Sequence, residues 1–273
     1  MSWNRLSIKV LQVSFLKSIF FLVLLTIHFY SKGQEVSVKL VDCQLDSEDM
    51  NAISGALSFQ LDFYKQVFGK ESSDEFHAIV FGTEKAFNKY SKSTMDFNPV
   101  KENALAYFSP SENEMIMHLE TEKFVKAFKH ELSHAILHTY CNRVPQWLNE
   151  GLAVYMEDID VEGGIASMHP EYLIKYQSVV DLLRDADNIT LNSIVSQKIF
   201  GYQFSGNYEW ENYELSWAVV NYLISVNENI LHDMLTHACL YKYAWIEKIY
   251  PGGPLVLEAD MKGFYLNQLP FEY

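Results

Sequence analysis

Four residues of this chain have the types and the spacing needed to hold a metal ion and to activate water. His130 and His134 lie four positions apart, and at 3.6 residues per turn two such histidines on a helix point to the same side. Glu131 lies one step round from His130, where its carboxylate could take a proton from water instead of binding the ion. Glu150, sixteen positions after the second histidine, supplies a further oxygen ligand.

This set of ligands is typical of zinc. Two imidazole nitrogens and one carboxylate oxygen leave one position of a tetrahedral zinc ion open, which distinguishes a catalytic site from a closed structural one. With 9 His and 35 Asp plus Glu in 273 residues, a His-acid-x-x-His string is expected by chance only about 0.04 times. The pattern predicts a catalytic zinc site with ligands His130, His134 and Glu150. Two packing or surface histidines that happen to lie four apart are the alternative.

Two predicted helices must position these residues. Residues 121–138 contain neither Gly nor Pro, and their apolar residues recur at helical spacing, which predicts a long amphipathic helix that carries the histidines. Pro145 suits the first turn of a second helix, in which Glu150 is surrounded by apolar residues and needs a partner such as a metal. Gly151 is expected to let this second helix pack closely on the first.

The sequence also resembles a known family. The HExxH string from His130 to His134 and the WLNEG string from Trp147 to Gly151 resemble the gluzincin zinc metallopeptidases, and most closely the compact bacterial families called peptidase MA-like. The resemblance covers roughly residues 104–160 and, more weakly, 208–224. The spacing between the two strings is shorter than in the larger gluzincins, and the GxMEN segment of the related aminopeptidases is missing.

The resemblance implies roles for individual residues. It makes His130, His134 and Glu150 the zinc ligands and Glu131 the general base, and it implies that Tyr213 donates to the developing oxyanion. With 17 Tyr in the chain, a packing role for Tyr213 is the alternative. His138 lies one further turn along the helix, about 6 Å past His134, and is therefore not expected to be a ligand.

The function implied is zinc-dependent hydrolysis of peptide bonds, endopeptidase-like, by a metal-activated water with Glu131 as the general base. Two alternatives stay open: an exported, non-catalytic metal-binding or scaffold protein with a peptidase fold, and a zinc amidase that acts on a non-protein substrate. The presence of Glu131 favours an enzyme, because a non-catalytic site would not need a base.

The N-terminus predicts export. Residues 1–33 contain four basic and no acidic residues, with an apolar run over 19–30, which is typical of a secretory signal peptide. The run is shorter than the roughly 20 residues that a membrane span needs. We expect a periplasmic or secreted protein without a stable membrane span after processing, with retention as an N-terminal membrane anchor as the alternative.

Charge and cysteine content narrow the possible partners. Without residues 1–33 the chain keeps 17 of its 21 basic residues against 35 acidic ones, which argues against nucleic acid or an anionic membrane surface as a partner. A peptide or protein substrate is the partner expected.

The three cysteines, Cys43, Cys141 and Cys239, permit at most one internal disulfide bond. Neither the pairing of the cysteines nor the oligomeric state follows from the sequence.

The fold class expected is α+β. Residues 34–120 are predicted to form a small mixed α/β lobe of the peptidase domain that ends in a hairpin at 105–118, and residues 121–273 a mainly helical lobe, with the zinc site between the lobes. In related metallopeptidases an edge strand beside the zinc pairs with extended substrate, and the strand near residues 115–117 is expected to do the same.

Overall fold

The chain is α+β, as predicted, with an N-terminal sheet followed by a mainly helical C-terminal region. The computed structural model describes residues 7–10, 24–31, 34–72, 75–94, 105–119, 123–184, 209–240 and 246–267. Two compact units form: the first comprises residues 1–65, 70–140 and 160–167, and the second comprises 66–69, 141–159 and 168–273.

The helices and strands follow one another along the described chain in this order: β1 (Ser7–Val10), β2 (Leu24–Ser31), β3 (Gln34–Val41), α1 (Ser47–Phe68), β4 (Phe76–Phe81), α2 (Glu84–Thr94), β5 (Ala106–Ser109), β6 (Glu114–His118), α3 (Phe124–Tyr140), α4 (Gln146–Glu157), β7 (Ile159–Glu162), β8 (Ile165–Met168), α5 (Tyr172–Arg184), α6 (Glu209–Leu240), α7 (Ile246–Ile249) and α8 (Gly253–Asn267). The spacing of apolar residues predicts elements at 36–43, 46–68, 76–81, 83–91, 105–108 and 114–118; all of them occur, with ends that differ by at most three residues.

The first unit contains a six-stranded sheet in the order β1-β2-β3-β4-β6-β5. Strands β3, β4 and β6 run parallel, while β2 and β5 run antiparallel to their neighbours. The expectation that residues 115–117 form an edge strand is wrong, because β6 pairs with β4 on one side and with β5 on the other. Among the described strands, β5 is the one at this end of the sheet.

The motif helix α3 belongs to the first unit, together with the sheet, although the sequence assigned it to the helical lobe. It packs against β5 and β6, and its apolar side chains Phe128, Leu132 and Ile136 are fully buried. Burial of this apolar face provides most of the stability of such a helix. The sheet therefore positions the helix that carries the histidines.

Strand β2 lies inside the segment predicted to be a signal peptide. It pairs antiparallel with β3 over eight positions, from Leu24 opposite Val41 to Ser31 opposite Gln34, and its side chains Ile27 and Phe29 are buried. The signal peptide stays a prediction. Cleavage after residue 33 would remove β1 and β2 and leave β3 at the edge of the sheet. None of the described helices is long and apolar enough to span a membrane.

The second unit is a group of helices in which α4 and α5 both pack on α6, and α8 packs on α5. Trp217 of α6 is fully buried at its centre, and the backbone of α6 departs from helical geometry at Asn227 (φ −162°, ψ 86°). A disulfide bond joins Cys141 to Cys239 and leaves Cys43 as the free thiol. One internal bond is the maximum that the sequence allowed, and it is compatible with an extracellular protein.

Candidate metal centre

The two histidines lie in the middle of α3, one turn apart, as predicted. Both side chains are half-buried, and the centroids of their rings are 4.7 Å apart at an interplanar angle of 83°. Because residues four apart stack along one side of a helix, His130 and His134 can present nitrogens to a common point. The first residues predicted for this helix, 121 and 122, lie outside the described part of the chain.

Glu150 lies in the second turn of α4. This helix begins at Gln146, and the carbonyl oxygen of Pro145 accepts hydrogen bonds from the backbone N–H groups of Leu148 and Asn149, each at 3.0 Å. Pro145 therefore occupies the N-cap position, one residue before the first helical turn in which the sequence placed it. Glu150 is half-buried, and the next residues on the helix are buried.

Gly151 determines how closely α4 packs on α6. A Cβ atom at Gly151 would lie 2.5 Å from the carbonyl oxygen of Ser216 and 3.0 Å from a methyl carbon of Val220, so any side chain here would force the two helices apart. The expectation that Gly151 serves the approach to the motif helix is wrong, because the space beside it is filled by α6. Gly151 nevertheless helps to fix the helix that carries Glu150.

The structure brings the three predicted ligands together. One ligand atom from each of His130, His134 and Glu150 lies within 4.8 Å of the other two. Tetrahedral zinc with bonds of about 2.1 Å separates its ligand atoms by roughly 3.4 Å. Two imidazole nitrogens and a carboxylate oxygen fit zinc or a similar divalent metal. The group could hold a metal ion.

Glu131 lies beside these ligands on α3 and is 8% exposed. Within the described part of the chain, it is not among the three residues that could hold a metal ion together. A carboxylate buried beside a metal site is placed where a general base is needed, and that role stays a prediction.

Tyr213 lies near the start of α6, one turn before the Ser216 that faces Gly151. Its role as an oxyanion donor stays a prediction. The neighbouring Glu214 accepts a hydrogen bond from the hydroxyl of Ser178 at 2.6 Å. Burial raises the pKa of the Glu214 carboxyl, while the bond from Ser178 and the charge of Lys175 oppose that rise.

His138 lies outside the ligand group. Its ring packs edge-on against the ring of Phe108 on β5, with centroids 5.6 Å apart. The structure therefore gives this histidine a packing contact with β5.

Sequence reasoning missed the polar contacts on another side of α3. Lys129 precedes His130, and its ammonium group lies 2.7 Å from a carboxylate oxygen of Asp160 on β7, with only 5% of the lysine side chain exposed. Ser133 precedes His134 and is fully buried. The signal was present in the sequence as two polar residues four apart on a largely apolar helix, but their partners are distant in the chain.

A protein family described as a protein of unknown function (DUF1570) matches residues 125–242, which is less than half of the 273-residue chain. A comparison with curated proteins finds no match. The matched segment contains both histidines, Glu131, Glu150 and Tyr213, so every predicted site residue lies within the part of the chain that is similar to this family.

Proposed function

We propose that this protein is a zinc-dependent peptidase, endopeptidase-like, in which Glu131 acts as the general base. The observation that carries the proposal is the convergence of His130, His134 and Glu150, with a buried Glu131 beside them. Three ligands leave one zinc position open, as catalytic zinc sites do. A bound zinc ion would supply Lewis acidity, which polarises a carbonyl and acidifies water.

We assign a separate role in the reaction to each of the site residues. Glu131 takes a proton from the attacking water at a carboxylate oxygen and passes it to the leaving nitrogen. Tyr213 donates a hydrogen bond to the oxyanion that develops on the carbonyl. His130, His134 and Glu150 hold the metal, and their half-buried setting limits competition from bulk water.

Strand β5 is the candidate for binding an extended substrate. It ends the sheet among the described strands and packs on α3, whereas β6, which the sequence favoured for this role, is paired on both sides. An exposed edge can bind an extended peptide through main-chain hydrogen bonds. A peptide or protein segment is therefore the substrate class that we propose.

The test replaces Glu131 by Gln, which removes the base but keeps the shape of the side chain. We expect hydrolysis of a peptide library to fall about 10²- to 10⁴-fold, while the zinc content measured by atomic absorption stays that of the wild type. Glu112→Gln, an exposed change in the hairpin turn, is the matched control and should leave both quantities unchanged. Unchanged hydrolysis by a zinc-loaded Glu131→Gln protein would remove the proposed base.

A chelator separates the peptidase from the two alternatives. Peptide cleavage that stops on chelation and returns with zinc supports the peptidase. Bound zinc without cleavage of any peptide would overturn the peptidase proposal. It would instead favour a scaffold protein, or an amidase if a non-protein amide is hydrolysed.

We also propose that the protein is exported after removal of residues 1–33, with an N-terminal membrane anchor as the alternative. The Cys141–Cys239 disulfide supports this proposal, because such bonds persist in oxidising compartments. The intact mass of the protein recovered from a secreting host tests it. A mass that includes residues 1–33 would contradict cleavage.

A further inference from the structure

Two buried polar residues flank the histidines on α3. Lys129 and Ser133 each precede a histidine by one position, so they lie about 100° round the helix from the side that carries the ligands, with Glu131 on the other flank. Lys129 is 4% exposed and Ser133 is fully buried. Buried polar groups are unfavourable unless they are hydrogen-bonded, so their partners are informative.

Helix α1 contacts both residues at two matching positions, through the backbone carbonyl of Lys129 and the side chain of Ser133. The side-chain amide of Gln60 donates a hydrogen bond to the carbonyl oxygen of Lys129 at 2.9 Å, and the hydroxyl of Tyr64 is hydrogen-bonded to that of Ser133 at 2.6 Å. Gln60 and Tyr64 lie one turn apart on α1, as Lys129 and Ser133 do on α3. We call this pair of buried hydrogen bonds, Gln60 to Lys129 and Tyr64 to Ser133, the α1–α3 ladder.

A metal site needs its ligands held more exactly than apolar packing guarantees. Productive geometry requires side chains within roughly 0.5 Å and 10–20° of their ideal positions. Apolar contacts are non-directional, whereas hydrogen bonds weaken steeply when their length or angle changes. Two such bonds, one turn apart, oppose both rotation of α3 about its axis and sliding along it.

We propose that Gln60 and Tyr64 are positioning residues of the metal centre, which fix the rotation of α3 and thereby aim His130 and His134 at the ion. The proposal rests on the metal centre proposed above, but it does not depend on peptidase activity. Gln60 acts through the backbone of α3 at Lys129, and Tyr64 acts through the side chain of Ser133.

The side-chain oxygen of Gln60 supports a role beyond packing. It is buried and has no hydrogen-bond partner within the described part of the chain, which makes an amide less favourable here than an apolar side chain of similar size. The NH2 group of the same amide donates the hydrogen bond to the Lys129 carbonyl, and this bond explains why an amide is present at this position. The Lys129–Asp160 ion pair adds a third polar contact beside the ladder.

The Tyr64 phenol is suited to the same task. It is fully buried, and burial raises its pKa above the ordinary value for tyrosine. Like any tyrosine hydroxyl, it is protonated at neutral pH, and either its oxygen or that of Ser133 can be the donor in the bond between them. Its ring also lies 6.4 Å from the ring of Tyr140 at the end of α3, so a Phe at this position would keep the packing.

The experiment uses the full chain with Tyr64→Phe, which removes one rung and leaves the ring in place. The zinc dissociation constant is measured by competition with a chelating dye, and the cobalt-substituted protein is followed by its visible absorption spectrum. We expect zinc to bind about 10-fold more weakly, within the range typical of groups that orient metal ligands, and the cobalt spectrum to change.

Tyr265→Phe is the matched control. Tyr265 is equally buried, and its hydroxyl bonds to Asn221 and to the carbonyl of Ala218 in the second unit. This change should lower the melting temperature but leave the zinc dissociation constant and the cobalt spectrum as in the wild type. Ser133→Ala should match Tyr64→Phe, and the double variant should be no worse than either, since the same bond is lost.

The proposal is overturned if Tyr64→Phe lowers only the melting temperature, as the control does, with zinc affinity and cobalt spectrum unchanged. If Tyr64→Phe does not fold, Gln60→Met removes the other rung with little change in volume and is judged by the same two measurements. A wild-type protein that binds no zinc would overturn the metal centre itself, and that outcome is distinguishable from failure of the ladder alone.

Discussion

The helices α3 and α4 both carry proposed metal ligands, yet their surroundings hold them in different ways. Helix α3 is fixed by directional polar contacts. Gln60 binds the backbone carbonyl of Lys129, Asp160 binds the Lys129 ammonium group, and Tyr64 binds the Ser133 hydroxyl. Helix α4 is fixed on α6 by close packing at Gly151. Both kinds of contact fix a helix in place, but different kinds of substitution would disrupt them.

The difference between polar contacts at α3 and close packing at α4 indicates which substitutions each helix can tolerate. A polar contact is lost when a donor or acceptor is removed, even if the shape is kept, because its partner remains buried and unsatisfied. A close-packed contact is lost when volume is added, even if the polarity is kept. We therefore expect α3 to be sensitive to isosteric changes and α4 to changes in size.

The largest effect should come from the ligands themselves, and it tests whether both helices serve one ion. His134→Ala on α3 and Glu150→Ala on α4 should each weaken zinc binding by more than the roughly 100-fold upper range for groups that only orient ligands. His138→Ala, which loses a contact with Phe108, is the control and should bind zinc normally. If only the histidine change affected zinc, α4 would not belong to the site. The readout is zinc content together with the dissociation constant.

Loss of the disulfide comes next, and it tests how far covalent bonding supports the second unit. Cys141 and Cys239 are 98 residues apart, and closing a loop of that size stabilises a fold by about 4.7 kcal/mol in the chain-entropy account. Replacing both cysteines by Ser should lower the melting temperature by roughly 10 °C. Cys43→Ser removes only a weak contact with the Val80 carbonyl and should have little effect. Equal melting curves for all variants would exclude a stabilising role for the bond.

The contribution of polar contacts to fixing α3 can be tested with the Lys129–Asp160 ion pair, because the two side chains differ in exposure. Asp160→Asn leaves the ammonium of Lys129 buried without its partner and should reduce the free energy of unfolding by about 3 kcal/mol. Lys129→Met leaves a carboxylate that is 37% exposed and should reduce it by about 1 kcal/mol. Urea unfolding measures both. A larger loss of unfolding free energy for Lys129→Met than for Asp160→Asn would mean that the burial of Lys129 does not determine the size of the effect.

The smallest effect expected is at Gly151, where the close packing of α4 can be tested by one methyl group. Gly151→Ala should reduce the free energy of unfolding by about 2 kcal/mol and weaken zinc binding, because Glu150 moves with its helix. Gly263→Ala is the matched control, since a Cβ atom there meets only the Asn267 side chain at 3.8 Å. It should stabilise α8 by about 0.5 kcal/mol. A stable Gly151→Ala protein with normal zinc affinity would contradict the account of α4.

The parts of the structure that depend on local pattern were predictable from the sequence. The apolar spacing before and after His130 predicts the motif helix, and residues 76–81 and 105–118 read directly as a strand and a hairpin. The grouping of His130, His134 and Glu150 was predictable in part, because helix geometry alone brings the two histidines together and the WLNEG string pointed to Glu150.

The parts that depend on distant pairing were not predictable. Periodicity shows that residues 114–118 form a strand, but whether β6 lies inside the sheet depends on which other strands pair with it. Gly151 indicates that another element packs closely on α4, but the sequence does not show which element it is. The three cysteines allow three pairings. The partners of Ser133 were hidden for the same reason, since Tyr64 lies 69 positions earlier.

The Cys141–Cys239 bond also bears on the order in which the protein is completed. Thiols stay reduced in the cytosol, so a newly made chain there would lack the covalent link between the residue that follows α3 and the end of α6. Disulfide formation takes seconds to hours and requires an oxidant. If the protein is exported as proposed, the second unit would gain this covalent link only after export, and any protein that binds the new chain in the cytosol would meet it without the link.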